Sequence, residues 1–204
     1  MVQDAIEVLL RQKIGLDASS IGSNTIAHAV ERRRLGCGLP DRAAYLSHLQ
    51  SSPQELENLI EAVVVPETWF FRDREPFVYL HQFVSEWRAA HSAGVFRVLS
   101  APCSTGEEPY SIAMTLLKSG LTSAQFKVDA VDISHRALLK AKRGIYGKQS
   151  FRGGGVTDQS RYFQPVESGQ EIRPFVSKTV NFIQGNLLNP AFLSEGNYHA
   201  IFCR

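Results

Sequence analysis

The chain has 204 residues, 44% hydrophobic and 21% charged, which suits one large globular domain or two small ones. A formal net charge of +2 is too small to argue for nucleic acid, so any basic partner surface must come from local clustering. No apolar run reaches the roughly 18 residues of a membrane span, and Asp4 and Glu7 interrupt the stretch where a secretory signal would be basic and then apolar. A cytoplasmic protein without membrane insertion is therefore expected.

The first 70 or so residues read as short helices. Ile6, Leu9, Leu10 and Ile14 share one face at helical spacing. Asn24 is placed to cap a second helix with Ile26, Ala27 and Val30 inward, stopping near Gly36 and Gly38. Asp41 opens a third, with Ala44, Leu46 and Leu49 inward. Ser52-Pro53-Gln54-Glu55 combines a capping box with proline in the first turn, and Leu56, Leu59, Ile60 and Val63 form the stripe behind it. Residues 1–72 thus read as a helical N-terminal domain with a linker carrying Pro66 and Trp69-Phe70-Phe71. Asp73 and Pro76 begin a further helix through Phe77, Leu80, Phe83, Val84 and Trp87.

From residue 96 the pattern changes. Phe96 to Ser100 reads as a strand, followed by a Pro/Ser/Thr/Gly turn and a helix through Ile112, Ala113, Leu116 and Leu117 to Gly120. Phe126 to Val131 is a second strand ending at Asp132, and Ser134 to Arg143 a helix before the loop Gly153-Gly154-Gly155. That alternation opens a parallel α/β sheet over residues 73–204. Tyr162–Glu167 and Gln170–Val176 form a hairpin about Ser168-Gly169, an antiparallel insertion at about 156–178. Val180–Gln184 and His199–Cys203 resume strand character. A nucleotide-binding sheet of this kind would have roughly three strands more, so the sequence reads as C-terminally incomplete.

Ligands of such sheets bind beyond the carboxyl ends of the strands. Two positions fall there: the turn Ser100 to Glu108, and Asp132, which can accept both hydroxyls of a ribose. The turn lacks the Gly-x-Gly-x-x-Gly pattern, with Pro102 and Ser104 where glycines would admit a pyrophosphate. Glu107 and Glu108 at the helix start either complement its dipole or receive a ligand with a positive amino group, such as the methionyl end of S-adenosylmethionine. Cys37, Cys103 and Cys203 are odd in number and far apart. The histidines (His28, His48, His81, His91, His135, His199) lack His-x-x-x-His spacing, so no metal is assigned.

Five segments, in order, resemble the chemotaxis-receptor-type protein glutamate O-methyltransferases. They are Pro66-Glu67-Thr68-Trp69-Phe70-Phe71-Arg72, Ser100 to Ser111, Ala141 to Tyr146, Gly185-Asn186-Leu187-Leu188 and Ile201-Phe202-Cys203-Arg204. The resemblance implies an α/β fold: a helical N-terminal domain, then a truncated Rossmann-like class I methyltransferase sheet with a small antiparallel insertion. It further implies S-adenosylmethionine as cofactor, S-adenosylhomocysteine as product, and glutamyl methyl esters on a chemoreceptor-like, methyl-accepting protein. Thr68 and Arg72 would contact the cofactor, with Arg72 also near the transferring methyl as the catalytic residue. Glu108, or in second place Glu107, would hold the amino group, Asp132 the ribose, and Asn186 with Leu187 the adenine. Arg204 would complete the cofactor set. Pro66 departs from the family's asparagine and offers only its carbonyl.

Plainer readings stand beside these. Thr68 and Arg72 would serve a linker helix, Asn186 an ordinary turn, and Trp69, Phe70 and Phe71 interdomain packing. Arg32-Arg33-Arg34 is either a solvated helix end or the docking surface for acidic receptor helices. The chain is expected to be a monomer. The rival functions are a cofactor- or receptor-binding fragment without turnover, and a nucleic-acid methyltransferase, which the lack of an RNA motif beside the arginines disfavours. The acidic turn disfavours an NAD-dependent oxidoreductase.

Overall fold

The computed structural model describes residues 2–64, 67–91, 94–156, 158–189 and 197–204. They divide into two units, Met1–Val65 with Asn186–Pro190, and Pro66–Gly185 with Ala191–Arg204.

The first unit holds α1 (Val2–Ile14), α2 (Ala18–Ile21), α3 (Ser23–Gly36), α4 (Arg42–Ser51) and α5 (Pro53–Val63). Their apolar stripes converge on Ile6, Leu10, Ile26, Val30, Tyr45, Leu59 and Val63, all fully buried. Each such side chain contributes about 1.5–3 kcal/mol. Asp41 caps α4 by accepting the Ala44 N–H at 2.9 Å, and Ser52 caps α5 by accepting that of Glu55 at 3.2 Å. Asn24 does not cap α3. The short α2, itself capped by Asp17, pushes the chain reversal onto Gly22, whose φ of +84° lets it close α2 and precede α3.

Glu55 also departs from the capping box. Its carboxylate turns inward and accepts four hydrogen bonds, from Arg33 Nε and Nη2, the Tyr45 hydroxyl and Asn58 Nδ2. Burial pushes this carboxyl up, but those donors outweigh it and hold the pKa down at about 2. Arg33 is held above its usual range by the same contact. Cys37 and His48 bring donor atoms within 4.8 Å of one another and of Glu55. Because the acid's acceptor sites are already filled by its own chain, the trio reads as packing around a saturated carboxylate.

The second unit begins with α6 (Glu75–Ala90), β1 (Phe96–Ser100), α7 (Glu107–Lys118), β2 (Phe126–Asp132), α8 (His135–Arg143) and β3 (Ile145–Tyr146). After a 3-10 turn at Lys148–Phe151 come α9 (Gln159–Tyr162), β4 (Phe163–Val166), β5 (Gly169–Ile172), α10 (Pro174–Ser177), β6 (Val180–Gln184) and β7 (Ala200–Phe202). Parallel strands run in the order β6-β2-β1-β7, and β3-β5-β4 form a separate antiparallel sheet. A helical N-terminal unit followed by a Rossmann-like sheet with an antiparallel insertion is thus present.

The hairpin differs in extent from the sequence reading. Tyr162 closes α9, β5 stops at Ile172, and Pro174 starts a helical turn, where its fixed φ and missing N–H suit a first helical position. The helix expected to begin at Asp73 and Pro76 starts at Glu75, with Arg74 at the cap position and no side-chain bond.

Residues 67–72 pack within the second unit. Phe70 is fully buried, its ring 4.8 Å from Tyr146, 5.0 Å from Phe151 and 5.1 Å from Phe163. Its N–H donates to the Ser150 carbonyl at 2.8 Å, and that of Phe71 to Ser111 Oγ at 3.0 Å. From β1 the chain steps outward to β2 and β6, then β7 returns to the other flank of β1. The carboxyl ends of β1 and β7 therefore border the crevice where order reverses.

Candidate functional site

The turn after β1 is tied to both neighbouring strands. Ala101 N–H donates to the Phe202 carbonyl at 2.9 Å and Cys103 N–H to that of Val131 at 2.8 Å. Ser104, at φ +50°, directs its N–H to Asp132 Oδ2 at 2.7 Å. Asp132 Oδ1 accepts the Ser134 N–H at 2.9 Å, so this buried carboxylate joins the loops after β1 and β2. Gly106 precedes α7 with φ +94°, and a Cβ there would meet the Ala141 Cβ at 2.8 Å and the Tyr146 hydroxyl at 2.9 Å. Only glycine lets the turn pass so close to α8.

The two acids of α7 are both buried and differently used. Glu107 accepts from Thr105 Oγ1 at 2.6 Å and Ser150 Oγ at 2.8 Å, bonds that fix the turn and the segment after β3. Glu108 faces the strand ends, accepting from Ser100 Oγ at 2.7 Å and Arg204 Nε at 2.9 Å. Arg204, just beyond β7, also donates Nη1 to Asp73 Oδ2 at 2.6 Å. Cations and anions thus alternate across the switch point: Asp73, Arg204, Glu108.

Arg72 donates to the Glu67 carbonyl at 2.6 Å and lies 4.7 Å above the Trp69 ring. Arg152 lies over the same ring at 4.1 Å. Arg72 Nε and Ser104 Oγ are buried without a hydrogen-bond partner among the described residues. Thr68 is half-buried on the same segment. Burial, together with the charges of Asp132, Glu108 and Glu107, pushes the Cys103 thiol far up, so it is protonated and no nucleophile.

Other expected site residues have their own partners. Asn186 Nδ2 donates to the Lys13 carbonyl at 2.6 Å, and its Oδ1 accepts the Leu188 N–H at 3.0 Å, an Asx-type turn with Leu187 inside it. Of the arginine run only Arg32 is exposed. Arg33 is spent on Glu55, while Arg34 binds Glu31 and the carbonyls of Leu39 and Pro40. Pro66 lies outside the described residues. Sequence reasoning placed Ser100 and Ser104 in the candidate turn without giving either a role, and missed Asp73. Ser100 alone had a visible signal, a polar residue closing an apolar strand.

The donor set suits S-adenosylmethionine better than a dinucleotide. Three buried carboxylates around one turn would repel a pyrophosphate. Glu108 accepts two bonds, and a carboxylate has about four acceptor sites. Ser104, whose N–H binds Asp132, also has a buried Oγ without a hydrogen-bond partner among the described residues. Residues fit the cofactor.

The fold is that of a Rossmann-like, class I type methyltransferase domain following a helical unit in the sequence. The family model described as CheR methyltransferase, SAM binding domain, matches residues 66–204, and the one described as CheR methyltransferase, all-alpha domain, matches residues 4–64. The chain belongs to the CheR methyltransferase family. It is 47% identical over 205 residues to a probable biofilm formation methyltransferase WspC of Pseudomonas aeruginosa, covering 100% of this chain and 49% of that protein. The WspC of Pseudomonas putida is 42% identical, with 96% of this chain and 46% of the relative covered. A chemotaxis protein methyltransferase of Escherichia coli is 34% identical, with 98% and 70% covered. The chain spans about half the length of the two WspC relatives. Among the described residues, no helix is long and apolar enough to cross a membrane.

Proposed function

We propose that this chain supplies the cofactor-binding part of a protein-glutamate O-methyltransferase acting on a chemoreceptor-like, methyl-accepting protein. The observation that carries the reading is the pair of buried carboxylates, Glu108 in the first turn of α7 and Asp132 at the end of β2, around a turn closed to pyrophosphate. Glu108 would hold the methionyl ammonium, and Arg204, already paired with it, the methionyl carboxylate. Asp132 would accept the ribose hydroxyls. Thr68 and Arg72 would complete the methionyl side, and Asn186 with Leu187 would flank the adenine once the Asn186 amide is shared with the Lys13 carbonyl.

Bound S-adenosylmethionine would supply an electrophilic methyl group. The acceptor glutamate is already an anion near neutral pH, so no strong base is required of the enzyme. What its residues do is align: Arg72, whose Nε makes no hydrogen bond among the described residues and lies 3.9 Å from Asp73 Oδ2, would orient the incoming carboxylate, and the surrounding walls would exclude water. Arg32, the exposed member of its run, would contribute to receptor docking by electrostatic attraction.

Calorimetry tests the binding half of the proposal. S-adenosylhomocysteine is expected to bind this chain and NAD is not; the reverse order would overturn it. The catalytic half is tested with the full-length protein by following labelled methyl into base-labile esters on purified methyl-accepting receptors, from chemotactic and biofilm pathways alike. Methyl appearing in RNA and not in receptor would overturn that half. In the same assay Arg72→Ala should lower kcat while cofactor still binds.

A further inference from the structure

We propose that the second unit carries another ligand site, apart from the strand-end crevice, for a flat aromatic ring bearing an anionic group, of about mononucleotide size. A cavity of about 380 Å³ lies between α6, α7 and the loop Gly153-Gly154-Gly155. Phe71, Phe77, Met114 and Tyr162 line it, with the exposed cations Arg74 and Lys118. That volume is within the range of small-molecule pockets, and aromatic and thioether walls suit a planar ring.

Charge decides the ligand class. Among the described residues, no carboxylate lines the cavity. Neither Arg74 nor Lys118 has a carboxylate partner among the described residues, unlike Arg33, Arg97 and Arg204. Arg74 donates Nη2 to the Gly153 carbonyl at 3.0 Å, which fixes its guanidinium beside the loop and leaves other N–H donors for a ligand. A phosphate or sulfonate would find two cations here, whereas Glu107, Glu108 and Asp132 would reject it at the strand ends. The two sites therefore have opposite charge preferences, and the second does not rest on the function proposed for the first.

The test is calorimetric titration of the chain with 2-naphthyl phosphate, with 2-naphthol as the uncharged comparison and with or without S-adenosylhomocysteine. One-site binding of the phosphate is expected, unaffected by S-adenosylhomocysteine and at least roughly tenfold tighter than binding of the naphthol. Lys118→Glu should weaken it by a similar factor. Val78→Trp, at an exposed lining position, should abolish it by filling the cavity while circular dichroism stays native. No binding, equal binding of the naphthol, displacement by S-adenosylhomocysteine, or indifference to both substitutions would each overturn the site. If S-adenosylhomocysteine fails to bind at all, only the proposed function is affected, because the two substitutions still locate the naphthyl ligand.

Discussion

Glu55 in the helical unit and Glu108 in the sheet unit are both buried acids, 4% and 5% exposed, each facing an arginine. Around Glu55 the chain supplies a full set of donors, two from Arg33 and one each from Tyr45 and Asn58. Around Glu108 it supplies a hydroxyl and one guanidinium N–H, at the carboxyl end of a parallel strand. A carboxylate saturated by its own chain holds structure together. One left with acceptor capacity at a switch point is available to a ligand. Burial alone does not separate the two roles; the count and origin of donors does.

Substitutions should pull the comparison apart. The largest effect on stability is expected for Glu55→Ala, which strands the Tyr45 hydroxyl and Arg33. Denaturant unfolding should show the first unit weakened by about 3 kcal/mol, with S-adenosylhomocysteine affinity unchanged. Asp132→Ala should do the opposite, lowering that affinity by on the order of 100-fold in calorimetry. Glu108→Gln keeps the shape and removes the charge, so a loss of roughly tenfold is expected, with unfolding stability within about 1 kcal/mol of the original. Equal loss of stability in Glu55→Ala and Glu108→Gln would erase the distinction.

Acid should expose the same contrast. The folded-state pKa of Glu55 is depressed to about 2 from the ordinary glutamate value of 4.5. Its contribution to stability is therefore complete above the unfolded value and lost as pH falls from about 4.5 through about 2. Arg33→Met removes the leading donor and should move that loss to higher pH, followed by circular dichroism. The smallest effect is expected for Trp69→Leu. The ring touches Arg72 and Arg152 by cation–π contact, worth about 0.5–1 kcal/mol at an exposed site, so cofactor affinity should fall only a few-fold.

The parallel strands and the helix starts at Asp41, Ser52 and Ser134 were legible because their signals are local: apolar runs, caps and turn residues. Errors came where a residue's partner is distant in sequence. Glu55 looked like half of a capping box because its spacing from Ser52 is visible, while Arg33 and Tyr45 are not local to it. Asp73 looked only like part of a helix start, because its partner Arg204 lies 131 residues away. The arginine run looked like one surface because adjacency in sequence hides that a helix points successive side chains in different directions. At the strand ends, Asp132 could be singled out from its position as the last residue of β2. Its bonds to Ser104 and Ser134 could not, since they depend on how two loops meet.

A crystal structure of the chain with S-adenosylhomocysteine reads the roles of Glu108 and Asp132 most directly. The Glu108 carboxylate should lie within hydrogen-bond distance of the amino group and that of Asp132 within reach of the ribose hydroxyls, with Glu55 still enclosed by Arg33 and Tyr45. A bound molecule from which both Glu108 and Asp132 turn away would contradict the account.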